Sequence, residues 1–235
     1  MNFVSGNQKL NDMSEISIHQ IPCPSCGHTS EFKRWDSINV DLNPEMREDA
    51  KSGAIFMWRC PHCGESFVVP YATLYHDMKR KMMVYYLPSR PEGGEGFNVR
   101  SGRSHFKMDG EYTYRFTYEI EDFMEKIAQL ESGLDDRVIE LLKLVMTGKN
   151  RPENVPANAE LRFVSIVPNN SGNPNKLLFR INNGTQCSPD EQKVMMIPYE
   201  AYLNLDKEPM TRKMFEQDAE FPEVSQEYLR MVLGK

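Results

Sequence analysis

CPSCG at residues 23–27 and CPHCG at residues 60–64 are two copies of one five-residue pattern, and they hold four of the five cysteines in a chain of 235 residues. In each copy the two-residue gap lets both thiolates reach one ion while the chain turns tightly between them. Pro24 and Pro61 fix φ in that turn. Gly27 and Gly64 follow where a left-handed conformation is needed, and backbone N–H groups of such a turn point at sulfur. Two such turns predict a closed tetrahedral site of four sulfurs, with Cys23, Cys26, Cys60 and Cys63 as ligands.

Zinc is the expected occupant, in a structural role. Iron is the less favoured alternative: paired CxxCG turns also hold a single iron in rubredoxins, but this chain is far longer and does not otherwise resemble one. A hydrolytic zinc keeps an open position for water, and four cysteines leave none. A redox dithiol predicts one CxxC beside a βαβ unit, and here there are two matched pairs. Cys187 lies far away in sequence, in a turn, and reads as a spare thiol.

Hydrophobic content of 40% and charged content of 26% are ordinary for a soluble globular protein. The net charge of −6 is uneven: residues 1–118 carry 14 basic and 14 acidic side chains, and residues 119–235 carry 14 and 20. Neither half has the basic excess of a typical nucleic-acid-binding domain. The N-terminus lacks a charged start followed by an apolar run, and no stretch approaches 18 apolar residues, so neither a secretory signal nor a membrane association is expected. With cysteines in CxxC pairs, this favours a reducing, cytoplasmic setting.

The pattern predicts an α+β protein in two parts. Residues 1–14 read as a flexible polar lead-in. Residues 15–149 read as a zinc-ribbon-like antiparallel β domain with a helix pair: a strand near 29–40, a short helix opened by Asn43-Pro44-Glu45 and stopped by Gly53, then AIFMWRC, SFVVPYATLY and MMVYYLP as extended segments. Asp109-Gly110 predicts a hairpin, with Tyr112, Tyr114, Phe116 and Tyr118 as a packing row at period two. Two helices follow, ended by Gly133 and Gly148, with apolar stripes through Phe123, Ile127 and Leu130 and through Val138, Leu141, Leu142 and Val145. The second stripe is widened by Ile139, Leu144 and Met146, which predicts a well-buried helix. Residues 150–159, polar and rich in Pro and Asn, read as a linker. Residues 160–235 read as a small α+β unit of three strands, a short helix near 198–205 and a final helix docked by Tyr228, Leu229 and Val232.

The sequence resembles the CpXC domain family. The likeness takes in both knuckles, SINVDLNPE after the first, the helix and glycine before FMWRCPHCG, and VPYATLYHDMKRKMMVYYLP after the second, and it extends over residues 16–149. The resemblance implies a prokaryotic, mostly cytosolic, zinc-ribbon-like protein of no established biochemical function, with Cys23, Cys26, Cys60 and Cys63 as ligands.

Three functions compete. The preferred one is a non-catalytic binding or adaptor protein with a protein partner, recognised through the acidic C-terminal unit or the PEGGEG loop at 91–96. The second is a nucleic-acid-binding ribbon in which Lys79-Arg80-Lys81, with Arg100 and Arg103, form a basic patch beside Trp35, Trp58, Tyr71 and Tyr75 as stacking surfaces. Against it stands the reading of those aromatics as core around the metal. The third is an enzyme using His76 and Asp77 as an acid–base pair. The competing reading there is a turn in which both side chains bond the backbone. His62 is expected to be exposed; His28 and His105 carry no signal, and His19, near the first knuckle, shows no visible partner.

Overall fold

Each knuckle closes a hairpin. The first lies between β1 (Glu15–Pro22) and β2 (Thr29–Asn39), antiparallel with Pro22 opposite Thr29. The second lies between β3 (Met57–Arg59) and β4 (Ser66–Val68), with Arg59 opposite Ser66. The computed structural model of the chain describes residues 14–89, 111–148, 151–153, 155–156, 159–182, 193–216 and 223–234. Among these residues it is a mixed α+β protein of three sheets and six helices, and no helix is long and apolar enough to cross a membrane. The chain divides into two compact units, Met1–Met124 and Glu125–Lys235.

In the first unit β5 (Thr73–Asp77), β6 (Met82–Tyr86) and β7 (Thr113–Thr117) complete a five-stranded sheet of order β1-β2-β5-β6-β7. β5 runs parallel to β2 and antiparallel to β6, and β7 runs parallel to β6. The hairpin expected at Asp109-Gly110 lies outside the described residues. Within the sheet the aromatic row packs as foreseen, Tyr85 stacking on its register partner Phe116 with centroids 5.5 Å apart. SFVVPYATLY is not one strand: Val69 turns away to donate to the Phe56 carbonyl, and pairing resumes at Thr73. AIFMWRC likewise begins as a 3-10 turn over Ala54–Phe56 before β3.

The core is aromatic. Phe56 packs on Tyr71, Tyr86 and Phe123, with centroids 5.1, 5.2 and 5.9 Å away. Tyr71 satisfies its buried hydroxyl by donating to the Ile55 carbonyl at 2.9 Å. Helix α1 (Met46–Ser52) buries Met46 and Ala50. The Asn43 side chain does not cap it but bonds Glu45, which occupies the cap position in a helical conformation. Gly53 ends α1 at φ +75°, and a Cβ there would lie 2.9 Å from the Met124 sulfur. The thioether can swing aside, so Gly53→Ala is expected to cost about 1–2 kcal/mol for the left-handed backbone alone, read as a lower denaturation midpoint.

In the second unit β8 (Glu160–Pro168), β9 (Pro174–Asn182) and β10 (Lys193–Pro198) form an antiparallel sheet of order β10-β9-β8. The helix pair is α2 (Ile120–Glu131) and α3 (Asp136–Thr147), joined by a short turn at Gly133 with φ +71° and by Asp135, whose carboxylate caps α3 at the Arg137 amide. α4 (Tyr199–Lys207), α5 (Pro209–Glu216) and α6 (Gln226–Leu233) follow. α5 was not expected from the sequence.

The boundary between the units falls inside α2, not in the polar stretch 150–159 where the composition changes. The physical reason is the stripe of α3: Val138, Ile139 and Leu142 share one core with Leu161, Phe163, Leu177 and Phe179 of the second sheet. Val145, expected in that stripe, is instead exposed.

Candidate metal centre

Sequence and backbone make the two knuckles alike. The Cys23 amide donates to the His28 carbonyl at 2.9 Å, and the Gly27 amide to the Cys23 carbonyl at 2.8 Å. The second knuckle repeats this with Cys60 to Glu65 at 2.8 Å and Gly64 to Cys60 at 2.9 Å. Gly27 and Gly64 sit at φ +72° and +79°, the left-handed conformation that their place in the motif predicts. The Arg59 guanidinium straps the second turn by donating to the Gly64 carbonyl at 2.9 Å. Trp58, buried at the base of that hairpin, donates its indole N–H to the Glu31 carbonyl of β2 at 3.2 Å, so one hairpin holds the other.

This docking gathers four sulfurs. Cys23 Sγ lies 3.6 Å from Cys63 Sγ, Cys26 Sγ lies 3.8 Å from Cys60 Sγ, and all four fall within 4.8 Å of one another. Zn–S bonds of about 2.3 Å in a tetrahedron put sulfurs roughly 3.8 Å apart, so the arrangement fits a single ion of that kind. One cysteine of each pair, Cys23 and Cys60, is buried; Cys26 and Cys63 lie at the surface.

The thiols do not ionise alike. The Cys63 and His62 amides help hold the Cys60 thiol down to about 6. The Glu65 amide favours the Cys63 thiolate too, but desolvation beside the other sulfurs and hydrogen bonds with Cys23, Cys60 and Cys26 outweigh it and push that thiol up to about 12. Four adjacent thiolates would need a cation among them, a charge that a divalent ion could supply. Above the site the exposed rings of His28 and His62, one from each knuckle, stack with centroids 4.8 Å apart. Nothing in the sequence showed that these two would meet.

His76 and Asp77 are not an acid–base pair. Adjacent residues of β5, they point to opposite faces of the sheet. His76 meets the Tyr112 hydroxyl at 3.3 Å. Asp77, with no exposed surface, accepts from Arg47 at 2.9 Å and from the Arg80 guanidinium and amide at 2.8 Å each. Burial alone would raise its carboxyl; the Arg80 amide and the two guanidiniums hold it below the usual range.

The basic run is paired as well. Lys79 bonds Asp41 at 3.1 Å, Arg80 bonds Asp77, and Lys81 bonds Glu111. Trp35, Trp58, Tyr71 and Tyr75 are all buried, as the core reading of them required. Arg100, Arg103, His105, Cys187 and the PEGGEG loop lie outside the described residues.

The sequence reading missed a buried charged cluster in the second unit. The Lys126 ammonium lies 3.2 Å from Glu140 and 3.4 Å from Asp136, Lys143 lies 2.9 Å from Glu125, and Arg162 lies 3.2 Å from Glu125. A signal was present: α3 is apolar around so much of its circumference that some charges had to turn inward. A cleft of about 370 Å³ opens beside this cluster, between the last turn of α3, the start of β8 and α6. The Lys143 ammonium on its wall is already held by Glu125 and Glu140.

A family model, described as CpXC protein, matches residues 21–143. No curated protein and no solved structure matches the chain.

Proposed function

The chain belongs to the CpXC family, and we propose on that footing that it is a binding or adaptor protein of a reducing, cytoplasmic compartment, braced by a structural zinc ion on Cys23, Cys26, Cys60 and Cys63. The observation that carries this reading is the sulfur tetrad. Four cysteine sulfurs within 4.8 Å of one another fill a tetrahedral ion's coordination and leave no position for water or substrate. Zinc bound there supplies charge neutralisation and cross-linking of two hairpins; the chain's own residues set the turns and dock them. The rival chemistries draw less support, because His76 and Asp77 diverge and Lys79, Arg80 and Lys81 are each met by a carboxylate.

A protein partner is favoured by surface apolar groups. Val164 of β8 and Val194 and Met196 of β10 are about half exposed, at 45%, 55% and 52%. Such a set on one small sheet suits a protein contact better than a polyanion.

The reading is tested by metal exchange. Purified protein should be colourless and contain one zinc per chain. Its cobalt-substituted form should give a visible spectrum that added azide leaves unchanged. A spectral change with azide would reveal an open position, and a red iron-loaded protein would replace zinc. Oligonucleotide binding at low salt that weakens in the Lys79→Glu/Lys81→Glu variant would favour the nucleic-acid reading instead.

A further inference from the structure

We propose that β1 is a self-association edge, pairing antiparallel with β1 of a second copy of this chain about a two-fold axis at Ser17. Among the described residues β1 is the terminal strand of its sheet, bonded to β2 along one side over eight residues. Sheet edges in monomeric proteins are blunted by lysine, internal proline, short length or inward charge. EISIHQIP has no Lys or Arg, and its one proline is the last residue. Ile16 and Ile18 instead stand 45% and 65% exposed.

The strand's own sequence names its occupant. In an antiparallel register centred on Ser17, Ile16 of each copy faces Ile18 of the other, on one side of the sheet. Glu15 faces His19 on the opposite side, an acid against an imidazole, and Ser17 faces itself. The His19 ring already lies 3.0 Å from the Ser17 hydroxyl, which keeps that polar face together. Moving the axis by one residue, to Ile18 or Ile16, keeps one isoleucine pair but sets the other isoleucine against Gln20 or Ser14 and breaks the Glu15–His19 match. An interface with the same patch on both copies is what two-fold symmetry requires. It does not rest on the reading of the metal, and it holds whichever ion fills the knuckles.

The experiment uses the full, metal-loaded chain. Sedimentation equilibrium should show twice the 27.3 kDa chain mass at high concentration, dissociating in the micromolar range expected of a small interface. Ile18→Lys, at an exposed position, should keep the fold by circular dichroism and weaken association by roughly tenfold or more. In a Cys187→Ser background, Ser17→Cys should form a disulfide-linked dimer in air, since residues on the axis have Cα atoms about 4.5–5.5 Å apart. Gln20→Cys should link far more slowly. A single-chain mass at every concentration, unchanged association of Ile18→Lys, or Gln20→Cys linking as fast as Ser17→Cys would each overturn the proposal.

Discussion

Stripping the ion with a chelator, or replacing Cys60 with Ser, is expected to unfold the knuckle-bearing unit. The elements that the sulfurs join cannot stand alone. β3 and β4 share three residue pairs, and a two-stranded hairpin of that size is not stable in water. β1 is exposed along most of its length and contributes little apolar burial. A structural zinc contributes an apparent ~10–16 kcal/mol, as much as the ~5–15 kcal/mol that a whole domain has to spare. Cys60 is the more telling position because it is buried, so the serine hydroxyl inherits a site built for a thiolate.

Both tryptophans of the chain, Trp35 and Trp58, lie buried in this unit, so indole emission reports on it selectively. The expected result is a red shift of emission and loss of its cooperative melt, reversed by zinc in the wild type and not in Cys60→Ser. Acid should act in the same direction, because protons compete with the ion for thiolates. A blue, cooperative tryptophan transition surviving chelation would show that the hydrophobic core suffices and that the ion does not brace the fold.

What was legible in the sequence divides along physical lines. The knuckles were, because their geometry needs Cys, Pro and Gly at fixed spacing and tertiary context cannot override that. Gly53 and Gly133 were, because a left-handed residue at a helix end is a local requirement. β1 was not, because its side chains face water and its alternation serves an edge instead of a core. The parallel pairing of β7 with β6 is a property of topology, which a local hairpin signal does not carry.

The stacked His28 and His62 come together only when the hairpins dock. The His76–Asp77 dipeptide, weighed as an acid–base pair below the reading of a turn, fails as such a pair for an elementary reason. Neighbours in sequence are on one face in a turn and on opposite faces in a strand, and this pair ends a strand. The charged residues of α2 and α3 carried no reading of their own, since Glu and Lys on a helix ordinarily sit on its solvent side and their cluster forms only when the helices meet the sheet.

Those charges carry the other large effect. Lys143→Met should destabilise the second unit by about 3–5 kcal/mol, the cost of leaving carboxylates buried without their counter-charge. Glu125 and Glu140 both lie within 3 Å of the Lys143 ammonium, at 2.9 Å in each case. Glu125 also accepts from the Phe163 amide of β8 at 2.7 Å, so the loss should be felt where α2 meets the sheet. The double variant Lys143→Met/Glu140→Gln, which removes one charge of each sign, should recover part of the loss.

Acid should probe the same cluster. Burial alone would raise the Glu140 carboxyl, but the Lys126 and Lys143 ammoniums, with the Gln226 amide, hold it down from 4.5 to about 2. A group depressed in the folded state stabilises it fully above the unfolded value, and the contribution disappears as pH falls toward the folded one. The wild type should therefore lose on the order of 3 kcal/mol from this group between pH 4.5 and about 2. Glu140→Gln should show a flatter acid limb in that window. Urea titrations followed by far-ultraviolet circular dichroism at several pH values check both effects. Equal midpoints for wild type and Lys143→Met would mean that the ammonium is not the counter-charge holding those carboxylates in the core.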